Sequence, residues 1–480
     1  MIIFNFQLSI VNLEKVFRRL PHTNLPAFLW RLWGDSYIAQ SIVKLGIPII
    51  IGQLGAIAQQ FADTIMVGQY GTMELAAAGF VNNVFNFVIY FMLGISYAST
   101  PVIGALYGKK DNRGVAQSLV DSIVVNFLFC LVIVALLLLL YFNIGILQQP
   151  EEIMPYALPY FLIITASMPF MAVFNALKQY SDAVGETKIP MWIMLGANAL
   201  NIVLNIPLIF GLELSIFNYH FSIEALGLFG AGIATIISRF LAVVALLIAI
   251  ARFRKYREIK PTVSTRPEIQ RMKQLLFLGF PISIQLGLEA SSFNVCAIFM
   301  GWLGAIPLAA HQIMCTISTL CFQIVYGIGA AASVLISQFR GVGDWHNVRR
   351  TANTAFFIGI TLILLMIGAI QIFRYPLVSS FTTSEEVVAV VLSLMPCFFI
   401  YQFGDCMQIT FANALRGIAE VKKLMLYAFI SYVIVSIPLS YIFAFIFGWG
   451  GVGVWMGMPF GLTTAGFLFY FEFRSKISKL

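Results

Sequence analysis

Charge is what this 480-residue sequence most conspicuously lacks: only 10% of its residues are Asp, Glu, Lys or Arg, against 60% hydrophobic. Soluble domains carry about 25% charged residues, so a soluble globular protein is excluded and an integral membrane protein is expected. There are only six cysteines (Cys130, Cys296, Cys315, Cys321, Cys397 and Cys406), with no C-x-x-C pair, and they lie in or beside apolar runs. They read as buried, reduced thiols. The four histidines do not cluster, which removes support for a structural metal. No Gly-rich loop followed by Lys-Ser/Thr is present, so ATP hydrolysis has no basis. Low-complexity segments are absent too. Without a nucleotide site, any transport must be driven by an ion gradient or run downhill.

What the chain has in abundance is long apolar runs. Twelve are about 20 residues or longer, enough to cross a bilayer, and they predict an all-α protein with six spans in each half. The first forty residues read as a peripheral amphipathic segment, with Lys15, Arg18, Arg19 and Arg31 among apolar neighbours. They lack the long apolar core and small-residue cleavage site of a removable signal peptide. The expected organisation is a peripheral segment at 1–40, an N-lobe at 41–251 (spans 1–6) and a basic cytoplasmic linker at 252–274. A C-lobe at 275–473 (spans 7–12) and a cytoplasmic tail at 474–480 complete it.

The two halves are copies. Leu45–Asp111 and Leu278–Asp344, offset by 233 residues, align without a gap, and 17 of the 67 positions are identical. The shared positions include Gly46/Gly279, Pro48/Pro281, Gly68/Gly301, Gly71/Gly304 and Asp111/Asp344. Six spans per copy is an even number, so both copies enter the membrane in the same direction. The repeat is therefore parallel, with its pseudo-two-fold axis along the membrane normal. Basic residues fix the orientation. With the N-terminus inside, Lys109, Lys110, Arg113, Lys178, Lys188, the linker cations, Arg340, Arg349, Arg350, Arg416, Lys422 and Lys423 all fall on the inner side, whereas only Arg374 falls outside. This is the positive-inside pattern; both termini are expected in the cytoplasm of a multi-pass protein of the cell inner (plasma) membrane. The net charge of +8 follows from that bias and implies no nucleic-acid partner.

Acids inside spans are the informative residues, because a central Asp costs about 2.5–3.5 kcal/mol on insertion scales. Asp63 in span 1, Glu289 in span 7 and Asp405 in span 10 stand out. Asp121 lies near the inner end of span 3 and is expected to snorkel, and Arg239, mid-span 6, is expected in a structural salt bridge or carbonyl contact. Across the repeat Asp63 faces Cys296 and Glu289 faces Ala56. The duplicated glycines and prolines thus describe scaffold, and the unduplicated acids mark function. Asn201 and Asn205 in span 5, and Tyr401 and Asp405 in span 10, each share a helix face at i, i+4. A carboxylate beside a phenol or amide oxygen suits a hard cation; an inter-helix hydrogen bond is the other reading, and for each Asn alone the preferred one. Gln53, Asn82 and Gln285 are further polar span residues expected in helix–helix hydrogen bonds.

The motifs LGIP…ADTIMVG…LAA and LGFP…E…LAAHQ…GIGAAASV, with NALKQYSDAVGETKIP after span 4 and QITFANALRGIAE after span 10, resemble the multidrug and toxic compound extrusion (MATE) transporters, particularly the NorM-like bacterial branch. The resemblance covers about residues 40 to 473. It implies two six-helix lobes in a V around a central cavity, exporting cationic or amphipathic compounds in exchange for Na⁺ or H⁺. By motif match Asp63 is similar to the family's first-span aspartate and Asn201 and Asn205 to its fifth-span polar pair. Glu289, Tyr401 and Asp405 are similar to the second-lobe cation site, with Asp405 and Glu289 as Na⁺ ligands. The N-terminal extension is longer than the family needs. A monomeric carrier in the lipid bilayer, with no cofactor beyond the coupling ion and no enzymatic activity, is expected. The alternative is a lipid-linked precursor flippase of the same broad superfamily, which needs a basic cavity; Arg239 is the clear candidate among the spans. Neither a selectivity-filter repeat nor a nucleophile/base pair supports a channel or an intramembrane enzyme.

Overall fold

In the computed structural model of the chain, residues 36–479 are described apart from 217–218, 254–255, 257–258 and 260–265. The expected surface segment at 1–40 therefore lies almost wholly outside the described residues. Among the described residues, twelve helices are long and apolar enough to cross a membrane. In the first half they are α1 (Ser36–Tyr70), α2 (Thr72–Gly108), α3 (Asn112–Phe142), α4 (Glu151–Ala183), α5 (Lys188–Phe210) and α6 (Gly227–Arg252). The second half adds α7 (Ile269–Trp302), α8 (Ala305–Gly341), α9 (Trp345–Ile372), α10 (Glu385–Gly417), α11 (Leu424–Ile446) and α12 (Gly450–Ile477). Between α5 and α6 runs a short antiparallel hairpin, β1 (Leu212–Ile216) with β2 (Tyr219–Ile223), in the register Leu212↔Ile223. Helices are required here because hydrocarbon offers no partner for backbone N–H and C=O groups, so each span must satisfy its own. Leu136, Leu139 and Val132 on α3 remain exposed on the protein, as a lipid-facing surface demands.

Most helices run well past the roughly 20 residues that a bilayer needs; α1, α2, α4, α7, α8 and α10 have 33–37. Their extra turns place charged residues inside helices rather than loops. Lys178 in α4 and Arg416 in α10, expected in inner loops, are both buried within their helices. Lys178 pairs with Asp182 one turn on, at 2.7 Å.

The described residues form two compact units, 51–99 with 112–276 and 36–50 with 100–111 and 277–479. The first has a core around Phe85, Phe161 and Met168, with Phe85 and Phe161 edge-to-face at 5.1 Å. In the second the largest fully buried side chains include Trp455, Tyr401, Tyr432, Phe398, Phe411 and Phe469. Residues 45–50 and 100–111 come from the first copy of the repeat but pack within the second unit. For 100–111, glycine permits the approach. A Cβ added at Gly108 would overlap the Gln338 carbonyl, and one added at Gly341 would overlap the Ala105 carbonyl. Gly108 and Gly341 are repeat partners at the 233-residue offset, and so are Ala105 and Gln338. The contact is therefore reciprocal: each copy inserts its glycine against the other's main chain, the close backbone approach that small residues permit between membrane helices. Gly108 and Gly341, a further identical pair of the duplication, thus pack one copy against the other. At the paired turns Gly71 and Gly304, only Gly304 needs glycine for its backbone, with φ +121° against −166°.

Candidate functional site

The first unit gathers its polar residues around Asp63. In α5 the spacing of Asn201 and Asn205 puts both amides on one face, and both are fully buried. Asn205 Nδ2 donates to Asp63 Oδ1 at 2.6 Å. Turned so that its nitrogen faces the acid, Asn201 donates to the same oxygen at 2.9 Å and accepts from the Thr235 N–H of α6 at 3.3 Å. The amides thus meet Asp63 with N–H groups rather than oxygens, because a carboxylate offers acceptors only. Such charge-assisted bonds are about twice as strong as neutral ones. Arg239 Nη1 donates to Ser167 Oγ at 2.6 Å, and Ser167 in turn donates to the Ile164 carbonyl at 2.7 Å. The guanidinium interacts electrostatically with Asp63 and Tyr160. Tyr160 reaches Asn82 Oδ1 at 3.4 Å, the helix–helix bond expected of Asn82. Arg239 is accordingly held by a hydroxyl close to a carboxylate.

The second unit brings together Glu289, Tyr401 and Asp405, the set read from the sequence. All three are buried, and Glu289 and Asp405 are close enough to interact electrostatically. One oxygen of Glu289 receives two amide donors, Gln285 Nε2 at 3.2 Å from its own helix and Gln408 Nε2 at 3.1 Å from α10. Asp405 differs: both of its carboxylate oxygens are buried without a hydrogen-bond partner, and so are both amide atoms of Gln402, one turn before it. Tyr401 bonds Ser318 of α8 and packs between Phe293 (6.2 Å) and Trp455 (6.1 Å). Tyr432, on a wide π-helical turn of α11 spanning Phe429–Ser436, interacts with Glu289, Asp405 and Tyr401. Such turns recur at functional sites.

An uncompensated buried carboxylate is expensive unless a cation or proton joins it. Two acids with phenol and amide oxygens at hand form the donor set that a hard cation takes. Among the described residues no group of three or more His, Cys, Asp or Glu is placed to hold a metal ion.

Several participants escaped the sequence reading. Arg416 Nη2 donates to Gln285 Oε1 at 2.6 Å, which makes Arg416 part of the Glu289 cluster. The NAL-Lys motif ending in Lys178 and the NAL-Arg motif ending in Arg416 stand 238 residues apart. At that same offset Asp405 corresponds to Ser167, the residue that holds Arg239. Aligning Ile206-Pro207-Leu208 with Ile437-Pro438-Leu439 likewise sets Tyr432 opposite Asn201 and Ser436 opposite Asn205. Comparing the later spans of each half would have found these positions. Cys296, the counterpart of Asp63, is a buried thiol 3.9 Å from Ser440 Oγ.

Asp121 does not snorkel. It is fully buried, accepts the Glu268 backbone N–H at 2.8 Å just ahead of α7, and lies 3.6 Å from Arg271. A donor just ahead of α7 and a cation in its first turn compensate the burial where snorkelling was expected.

Comparison with known proteins fits this geometry. The MatE family model matches residues 48–206 and 281–442. The chain is 31% identical to a probable multidrug resistance protein NorM of Bradyrhizobium diazoefficiens, over 93% of this chain and 95% of that protein. It is 27% identical to the multidrug resistance protein NorM of Vibrio cholerae, over 89% and 93%. Among solved structures, a mutant of the Vibrio cholerae MATE transporter VcmN superposes with TM-score 0.83 at 20% identity, covering 93% of this chain and 98% of that one. The eukaryotic MATE transporter AtDTX14 superposes with TM-score 0.79 at 20% identity, over 92% and 98%.

Proposed function

Because the chain belongs to the MatE family, we propose that it is a multidrug efflux carrier that exports cationic or amphipathic compounds in exchange for Na⁺ or H⁺. The observation that carries the coupling reading is Asp405, buried with both oxygens unpartnered beside Glu289. In the proposed cycle the outward-facing carrier takes up the ion at Glu289 and Asp405, with Tyr401 contributing its phenol oxygen and Asp63 serving the first unit. Neutralising the acids weakens their hold on a bound cationic drug, which leaves. When the ion departs on the inner side, the recharged acids attract the next drug. One charge moving inward across 100 mV releases about 2.3 kcal/mol, and a tenfold ion gradient adds about 1.4 kcal/mol. For an uncharged amphipathic drug the two together sustain a gradient on the order of several hundred-fold per ion, whereas a monovalent cationic drug consumes the electrical part on its way out and is left with about tenfold per ion.

In this reading the carrier is a monomer of the inner membrane, and the positive-inside bias of its loops supports an orientation with both termini cytoplasmic. A lipid-linked precursor flippase would draw on Arg239 to hold a pyrophosphate. Its guanidinium is held by Ser167 near Asp63, which favours the drug-carrier reading. The test is ion-driven ethidium efflux from whole cells or everted vesicles. Asp405→Asn and Glu289→Gln should each abolish it while the protein still accumulates in the membrane. Wild-type rates in both variants would sink the cation-site reading.

A further inference from the structure

The polar chain in the second unit does not stop at the two acids. One turn along α7 from Glu289, Gln285 bonds the acid with its nitrogen at 3.2 Å and receives Arg416 on its oxygen at 2.6 Å. Gln408 holds the same Glu289 oxygen from α10 at 3.1 Å. Gln285, Gln408 and Arg416 are all buried. Arg416 stands eight residues past Gln408 on α10, about 12 Å along the helix, toward the end where α10 finishes at Gly417. Arginine cannot give up its proton in a protein, so a permanent positive charge faces Glu289 from inside the unit.

We infer that Arg416 is a built-in counter-cation for Glu289, relayed through Gln285, that weakens the acid's hold on the mobile ion and so permits its release. The inference rests on the cation-coupling reading. The other groups that bear on Glu289 are Asp405 and Tyr401 on α10 and Tyr432 on α11. Asp405 acts in the opposite sense, since a second acid strengthens the grip on any cation between them. Two acids alone in a low-dielectric interior would bind an ion and keep it. A fixed guanidinium offsets one of them without occupying the unpartnered oxygens of Asp405. Nothing in the repeat dictates this placement. The counterpart of Arg416 in the first half, Lys178, is spent on Asp182 at 2.7 Å. Yet the first unit reaches the same pairing from a different helix, with Arg239 of α6 acting on Asp63.

The experiment uses full-length protein in proteoliposomes, with ethidium efflux driven by imposed sodium or proton gradients. Arg416→Gln should lower the half-saturating concentration of the coupling ion at least tenfold, and should lower maximal efflux because ion release slows. Arg416→Lys, which keeps the charge, should fall between Arg416→Gln and wild type. A second measurement is independent of transport: the melting temperatures of Arg416→Gln, Glu289→Gln and the double variant in detergent. Each single change removes one of two opposite buried charges and leaves the other uncompensated, so the double variant should melt closer to wild type than either single variant. Should Arg416→Gln fail to accumulate alone, recovery of folded protein in the double variant supports the pairing, and continued loss overturns it. An unshifted half-saturation with a merely slower rate, or additive melting losses, also overturns it. Ion-insensitive efflux by the wild type would remove the coupling reading and this inference together. Ion-dependent wild-type efflux with an unshifted Arg416→Gln removes this inference alone.

Discussion

Adding a single methyl at Gly341 should measurably loosen the second unit, and the size of the effect follows from the seam. The new Cβ would overlap the Ala105 carbonyl oxygen and stand 2.9 Å from its carbonyl carbon. Carbon atoms rest about 3.5–4.0 Å apart, so the helices must separate by about 0.6–1 Å. Both colliding atoms belong to main chain, and no rotamer change relieves them. Overpacking of this kind costs about 1–3 kcal/mol. At about 2–4 °C per kcal/mol for a unit of this size, Gly341→Ala should melt several degrees below wild type in detergent. Gly108→Ala should do the same through the Gln338 carbonyl. Because one opened gap accommodates both methyls, the double variant should lose less than the sum of the singles. Gly368→Ala in α9 is the control: its added Cβ meets nothing within 4 Å, and helix propensity favours it by up to about 1 kcal/mol. Equal melting of Gly341→Ala, Gly368→Ala and wild type, or strictly additive losses at the seam, would refute the reciprocal packing.

Two further outcomes are expected. Asp121→Ala strips the Glu268 N–H of its acceptor and Arg271 of one of its two acidic neighbours, and should lower stability by about 1–3 kcal/mol; Asp121→Asn keeps an acceptor and should lose less, and equal melting of all three proteins would show that Asp121 anchors nothing. Asn205→Ala removes the 2.6 Å donor to Asp63, a charge-assisted bond of about 1.5–3 kcal/mol, so ethidium efflux should fall tenfold or more; an unchanged rate would make the first-unit site purely structural.

The spans, the duplication and the acids were legible because each is set by a rule that acts on local sequence. Bilayer thickness demands about 20 apolar residues, and an acid among them is conspicuous. What the acids bond to was not legible. Arg416 and Lys178 read as loop cations because they follow the last apolar run, whereas α10 and α4 continue through them to Gly417 and Ala183. Asp121 read as a snorkelling residue because its partners, Glu268 and Arg271, arrive from about 150 residues away. Gln285 was expected in a helix–helix hydrogen bond, and it makes one, but the identity of its partner places it in the ion cluster. Tyr432 had a signal, its position opposite Asn201, visible only once spans 5 and 11 are aligned on their shared Ile-Pro-Leu.

The division of the chain between its two units has a consequence for how the protein is made. The polypeptide passes from one unit to the other at 50/51, 99/100, 111/112 and 276/277. Gly108 is synthesised 233 residues before the Gly341 that completes its seam. At about 5–20 residues per second, that surface waits on the order of 10–50 s in the membrane before its counterpart emerges. A ribosome that stops between the copies therefore leaves residues 100–111 exposed, with a glycine face that has nothing to close against. The first unit needs nothing beyond residue 276, whereas the second holds residues from the start of the described chain that only its later helices can cover.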